Sequence, residues 1–533
     1  MARVLHTVSG RGGIVTAPHH LAAQAGLDVL KEGGTAAQAT IAVAATLAVV
    51  YPHMTGIGGD GFWLIREGDG RVHSVHGVGG AAQAATLERY VGHAAVPWRG
   101  PLAANTVAGT LSAWDAVLAS KAAPLPLARL LAPAIAHAEA GVAVTAGHAA
   151  LAAAKGPELR VQPGAYAQVF EPDGRPLCEG DVLRQPALAA TLRRLAQAGL
   201  ADFYTGALAA EVAADLAALG SPVGAADLAA HRATRPAPLQ VQLQVQNGAG
   251  TLYNAAPPTQ GVASLLILAL AERVGISAGE GFDHVHRLVE ATKQAFLWRD
   301  AHCGDPAFMT HDAQALLDDP ALLDAMAARI DPARALPWPQ PSQWGDTCWF
   351  GAADARGQVV SAIQSTYFEF GSGLVLPQTG ITWQNRGASF RLAERGWNAL
   401  RPGRKPFHTL NPALAELNDG RVMAYGTMGG EGQPQTQAAM FSRHVWHGLD
   451  LQAAISAPRW LLGRTWGEDS TTLKIEDGFA PETYAALAAA GHRVERVGPL
   501  TAMMGHAGAI VRHADGRLDG ATDPRSDGGV AAW

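Results

Sequence analysis

The sequence predicts an α+β chain in which antiparallel sheets are sandwiched between helices. Apolar runs recur in pairs around short Gly/Asp turns, as in β-hairpins. Helical periodicities gather between the first hairpin and the second. The strand–helix–strand alternation of a doubly wound parallel fold is missing at the start.

The elements follow in chain order. Ala17 to Lys31 carries Leu21, Leu27 and Leu30 at helical spacing and stops at Gly33-Gly34. Thr35 can cap a second helix reaching Tyr51, apolar on every side and therefore buried. At ~1.5 Å per residue that helix is too short to cross a ~30 Å hydrocarbon layer. Gly61–Ile65 then turns at Gly68-Asp69-Gly70 and returns through Val72–Val78. Helical patterns cover Pro186–Gln197, Ala207–Ala218, Gly261–Arg273 and Asp283–Asp300. A Pro-, Gln- and Trp-rich stretch, Ile330 to Gly345, reads as an exposed linker. Three further hairpins follow, Cys348–Ala353 with Val359–Ser365, Ala413–Leu417 with Val422–Tyr425, and Ala507–Arg512 returning toward Gly520. Strands apolar on both faces need cover on both sides, which the helices supply.

Composition narrows the function. The 533 residues are 48% hydrophobic and 16% charged, as in a folded globular chain. Forty Lys+Arg against 46 Asp+Glu leave a net charge of −6, so no basic footprint for nucleic acid or an anionic membrane exists. The three cysteines, Cys178, Cys303 and Cys348, lack CxxC spacing, which argues against a disulfide framework or structural zinc. The first residues show no apolar run of a secretory signal, so a cytoplasmic enzyme is expected.

Several motifs are weaker than they look. Gly56 to Gly61 satisfies G-x-G-x-x-G, but a helix precedes it and a strand follows, the reverse of a dinucleotide site. A tight turn where backbone approaches something closely is the better reading. His19-His20 and His284-Val285-His286 lack the i,i+4 spacing of helical metal pairs and read as capping or surface residues. Cys348 reads as a buried, inert thiol.

Asp346-Thr347-Cys348 opens a buried strand just after the loose linker. A threonine hydroxyl is a poor nucleophile unless a base takes its proton, and a freed α-amino group on the same residue can do so. Its ordinary pKa of about 7.7 suits neutral pH. Freeing it requires cutting the 346–347 peptide bond.

The motifs place the chain in a family. Met54-Thr55-Gly56-Ile57-Gly58-Gly59-Asp60-Gly61-Phe62, Ala256-Pro257-Pro258-Thr259-Gln260-Gly261, Arg299-Asp300, Asp346-Thr347, Phe370-Gly371-Ser372-Gly373, Gly426-Thr427-Met428-Gly429-Gly430, Ala457-Pro458-Arg459 and Asp523-Pro524-Arg525-Ser526 occur in order. Together they resemble the γ-glutamyltransferase family from Gly13 to about Gly529. The resemblance implies a four-layer αββα Ntn-hydrolase sandwich. It implies self-cleavage into a large chain, 1–346, and a small chain, 347–533, which associate as one unit. It implies that Thr347 is the nucleophile, that Ser365 supports it, and that the amides of Gly429 and Gly430 bind the oxyanion.

The chain departs from the family's main branch at the amino-acid clamp. Val78 stands where the resemblance puts an arginine for the substrate α-carboxylate, and Ala388 near the acid for the α-amino group. His408-Thr409 replace a serine pair, and Tyr367 replaces an asparagine. Glutathione should therefore bind poorly. Arg386, Asn385, His408, Thr409 and Tyr367 are the candidate substrate-binding residues, with Trp383 and Tyr367 narrowing the pocket and Arg386 pairing with a carboxylate. Within the family, Gln384-Asn385-Arg386-Gly387 and Pro406-Phe407-His408-Thr409-Leu410-Asn411-Pro412 resemble oxamate amidohydrolases of purine degradation. That implies hydrolysis of a small anionic amide, oxamate to oxalate and ammonia, with no metal or cofactor. A glutathione hydrolase, a γ-glutamyl transferase, another amide acylase, or an unprocessed non-enzymatic member stays open. So does a homo-oligomer of the two-chain unit.

Overall fold

A computed structural model describes residues 5–119, 124–245, 248–276, 279–338, 346–463 and 470–533, with Asp346 described by its backbone alone. Two antiparallel sheets face one another. Strands β1 (Val8–Gly10), β2 (Gly13–Ala17), β3 (Asp60–Arg66), β4 (Val72–Gly77), β5 (Leu239–Leu243) and β6 (Gly250–Asn254) come from the first two-thirds of the chain. The last third supplies β7 (Asp346–Asp354), β8 (Val359–Tyr367), β9 (Ala413–Leu417), β10 (Val422–Thr427), β11 (Ala507–Arg512), β12 (Leu518–Thr522) and β13 (Gly529–Ala532). One sheet runs β1-β12-β11-β10-β9-β6-β5, the other β13-β2-β7-β8-β3-β4.

Strands β10, β11 and β12 pack on β2, β7 and β8 across the interface, where Ile14, Leu64, Trp349, Leu414 and Ile510 form an apolar cluster. Helices α1 (His20–Lys31) and α2 (Ala36–Val50) cover the outer side of the second sheet; α3 (Gly261–Val274) and, after α4 (Phe282–His302), α5 (Gly432–Phe441) cover that of the first, with α4 packed on both. The order of layers is helix, sheet, sheet, helix, as expected from strands buried on both faces.

Local chemistry explains the elements the sequence revealed. Thr35 caps α2, its hydroxyl accepting from the Gln38 amide and its own amide donating to the Gln38 side chain. Every residue of α2 is buried. The four foreseen hairpins are β3–β4, β7–β8, β9–β10 and β11–β12.

Two expectations need correction. The first helix begins at His20, not Ala17, because Gly13-Ile14-Val15-Thr16-Ala17 is a fully buried strand beside β7. A short β-branched run carries no period that separates strand from helix. His284 and His286 are buried core residues of α4 rather than surface or capping groups. His19 does cap, accepting from the Leu21 amide. Of the expected linker, residues 339–345 lie outside the described residues.

Candidate active site

Thr347 occupies the second position of β7, held between β2 and β8, and is fully buried. Gln364 pairs with Cys348 and Tyr367 with Asp346, so Ser365 and Thr366 together oppose the one residue Thr347. This is a β-bulge, a device that re-aims side chains next to active sites. Tyr367 takes φ +87°, a left-handed conformation costly for a residue with a Cβ. The bulge is tied by the Tyr367 amide, which donates to Ser365 Oγ at 2.7 Å.

On its other side Ser365 pairs with Asp60 of β3. Gly59, just before β3, leaves no room for a side chain: a Cβ there would lie 2.1 Å from the Ser365 carbonyl oxygen. The glycine turn of residues 56–61 is therefore a close approach of backbones beside Thr347, as its reversed helix–strand context suggested.

The second glycine turn links β10 to α5, with Gly429 at φ +116° and Gly430 at φ +51°. Gln433, in the first turn of α5, donates from Nε2 to Thr347 Oγ at 3.0 Å. A fully buried network fixes this turn. Gln260 Nε2 donates to the Gly430 and Thr409 carbonyls, both at 2.7 Å, while its Oε1 accepts from Arg299 at 2.9 Å. Arg299 also pairs with Glu431 at 2.8 Å. Sequence reasoning missed Gln433, Arg299 and Gln260 as site residues. Gln260 and Arg299 stood inside the quoted motifs and Gln433 three residues past one, but a contact between positions 347 and 433 has no local signal.

Arg386 is fully buried, its guanidinium carbon 3.8 Å from the centre of the Tyr367 ring. Nη1 reaches Thr409 Oγ at 3.4 Å, but Nε and Nη2 find no hydrogen-bond partner among the described residues. Burial lowers its pKa to about 10, so the group stays charged at neutral pH. Asp60 lies nearby, its Oδ1 accepting from the Gly109 amide at 2.9 Å and Gln384 Nε2 at 3.2 Å. Burial raises the Asp60 carboxyl to about 7, against the pull of Arg386. His408 Nε2 sits 3.2 Å from Asp60 Oδ2 without the alignment of a hydrogen bond. Burial, then the positive Arg386, holds His408 well below its ordinary pKa, so it is neutral rather than a second cation.

The structure thus gathers Thr347, Ser365, Tyr367, Arg386, His408 and Thr409 around one bulge and its neighbours. Asn385 serves the scaffold, its Oδ1 accepting from the Phe368 amide and its Nδ2 donating to the Trp98 carbonyl. Trp383 is fully buried with its indole N–H on the Thr106 carbonyl. Val78 lies in an apolar cluster with Phe62, Ala255, Ile363 and Leu410. A cavity of about 580 Å³ lined in part by Tyr51, His53 and Met503 reaches Met428, the residue before Gly429.

A strand opening on Asp346-Thr347 beside a glycine turn, in a helix–sheet–sheet–helix sandwich, has known counterparts. The gamma-glutamyltranspeptidase family profile matches residues 22–533. The chain belongs to the gamma-glutamyltranspeptidase family. Among its curated relatives, the oxamate amidohydrolase proenzyme of Klebsiella pneumoniae is 53% identical, over 98% of each chain. The glutathione hydrolase-like YwrD proenzyme of Bacillus subtilis is 40% identical, again over 98% of both. Among solved structures, the cephalosporin acylase of Bacillus halodurans superposes with a TM-score of 0.90 at 33% identity, covering 100% of this chain and 98% of that one. This member of the family is an amidohydrolase with the Ntn-hydrolase fold. No helix of the described residues is long and apolar enough to cross a membrane.

Proposed function

We propose that this enzyme hydrolyses a small anionic amide, oxamate to oxalate and ammonia, with Thr347 as nucleophile after the chain cuts its own 346–347 bond. The observation that carries the substrate class is Arg386: a fully buried cation with two donor nitrogens, Nε and Nη2, that find no partner among the described residues. Such a group is costly to bury unless something pairs with it, and a carboxylate accepts from the guanidinium fork. The oxamate amidohydrolase relative supports the same choice.

In the cut, Thr347 Oγ attacks the Asp346 carbonyl and the C–N bond breaks, which frees the α-amine and leaves an ester; water then hydrolyses that ester, releasing the Asp346 carboxylate and restoring the Thr347 hydroxyl. In turnover that amine takes the Oγ proton as Oγ attacks the amide carbonyl. The Gly429 and Gly430 amides steady the oxyanion, each such donor contributing roughly 3–4 kcal/mol. Ammonia leaves with the proton, and water then releases oxalate from the ester. Gln433 Nε2, donating to Oγ, orients the hydroxyl before attack.

The products of the cut are a large chain, 1–346, and a small chain, 347–533. They stay together because their strands interleave: β2 lies between β13 and β7, β8 pairs with β3, and β9 with β6. The site works in the cytoplasm. A γ-glutamyl substrate is disfavoured by the apolar surroundings of Val78, where an unpaired α-carboxylate would be stranded.

Ammonia release from oxamate by the purified protein, beside γ-glutamyl-p-nitroanilide, tests the reading. Release from oxamate with little anilide hydrolysis is expected; the reverse preference contradicts it.

A further inference from the structure

Helix α4 carries His286, Glu290 and Lys293 on successive turns of one face, all buried. Lys293 Nζ meets Glu290 Oε1 at 2.6 Å, with both side chains no more than 2% exposed. Both also bond to one residue of another segment. Glu290 Oε2 accepts from the Leu336 amide at 3.0 Å, and Lys293 Nζ donates to the Leu336 carbonyl at 2.6 Å. His286 Nε2 donates to the Asp331 carbonyl at 2.8 Å, which leaves Nδ1 to accept from His492 Nε2 at 2.8 Å. The Ala335 amide donates to the Ala490 carbonyl, and Trp338 packs on the same core.

Two other uses of this cluster fit less well. His286, Glu290 and His492 bring metal-binding atoms within 4.8 Å of one another, but the Lys293 ammonium already occupies the Glu290 oxygen. A buried ion pair is also a weak device for stability, since desolvation offsets much of the attraction. What this pair does is grip both main-chain groups of Leu336, ten residues ahead of the 346–347 bond.

We propose that His286, Glu290, Lys293 and His492 form a main-chain clamp that fixes residues 331–336 and thereby sets the rate of the cut at 346–347. These are positioning residues for maturation, and the proposal rests on the reading of Thr347 as the self-cleaving residue. A chain held ten residues upstream has less freedom to lose when the bond is brought to Oγ. Turnover by enzyme already cut does not use the clamp.

Two variants test it. Lys293→Met removes the ammonium but leaves Glu290 buried without its cation, so it carries a risk of misfolding. Leu336→Pro deletes the clamped N–H while leaving the Glu290–Lys293 pair in place, on a residue 37% exposed. Each is followed by denaturing gel for the cut and by ammonia release per molecule of cut enzyme. Cutting slowed tenfold or more, with unchanged turnover per cut molecule, is expected from Leu336→Pro. Cutting at the wild-type rate in Leu336→Pro overturns the proposal. Hydrogen exchange of the Leu336 amide in uncut Thr347→Ala protein separates the clamp from the nucleophile reading. Protection there, lost when Lys293→Met is added, supports the clamp; an unprotected amide overturns it. Wild-type protein that never cuts overturns the reading of Thr347 and the clamp's effect on rate together.

Discussion

The Arg386 guanidinium carbon lies over the ring of Tyr367, 3.8 Å from its centre, and Tyr367 in turn pairs with Asp346 across the bulge. Cation, aromatic ring and the residue before Thr347 are thus linked through consecutive contacts. On the proposed reading this cation would receive the substrate's carboxylate, which makes Arg386 the first residue to test.

Replacing Arg386 with Met removes the cation while keeping most of the volume over Tyr367. KM for oxamate should rise about a hundredfold, the loss of a charge-assisted hydrogen-bond pair of roughly 3 kcal/mol. Cutting at 346–347 should proceed, since it involves no substrate carboxylate. Initial-rate kinetics on oxamate and on a neutral amide check this; an equal effect on both amides speaks against the role.

Thr347→Ala deletes the hydroxyl proposed to attack. The protein should run as one uncut band without amidase activity. Two bands from this variant on a denaturing gel would remove Thr347 from the mechanism.

Asp60 gives a pH signature. Its folded pKa, raised to about 7 by burial, exceeds the ordinary carboxyl value, so the folded state holds the proton more tightly than the unfolded one. Its contribution to stability is fully present below about pH 4 and lost as pH rises through about 7. Ionised Asp60 also competes with substrate for Arg386, so KM for oxamate should increase over the same upper range. Asp60→Asn should flatten both trends, read from urea midpoints and from KM between pH 5.5 and 8.5. A KM profile unchanged by this substitution contradicts the coupling.

The Arg299–Glu431 pair holds the second glycine turn from beneath. Arg299→Met leaves Glu431 buried without its cation, a loss of about 3–5 kcal/mol. The melting temperature should fall by several degrees and turnover should fall with it, because Gly430 loses its support through Gln260. A melting curve superimposable on the wild type argues against that network.

Much of this was legible in the sequence because the signals are local. A capping threonine at 35, Gly/Asp turns between apolar runs, and the glycines at 58–59 and 429–430 each mark a backbone requirement within a few residues. The strand Gly13–Ala17 was not legible, since its pairing with β7 joins positions more than three hundred residues apart. The burial of His284 and His286 escaped notice for the same reason: their partners, Ser442 and His492, come from the last third of the chain. Arg386 was visible as a cation near the site, but its stacking on Tyr367 and its unused donors exist only in three dimensions. The neutrality of His408 likewise depends on burial beside a second charge, which no motif encodes.

The most direct test of the central claim is the intact mass of the purified wild-type protein under denaturing conditions. The account predicts two species, residues 1–346 and residues 347–533, the second beginning with a free α-amino group on Thr347. A single species carrying all 533 residues, with amidase activity still present, would contradict it.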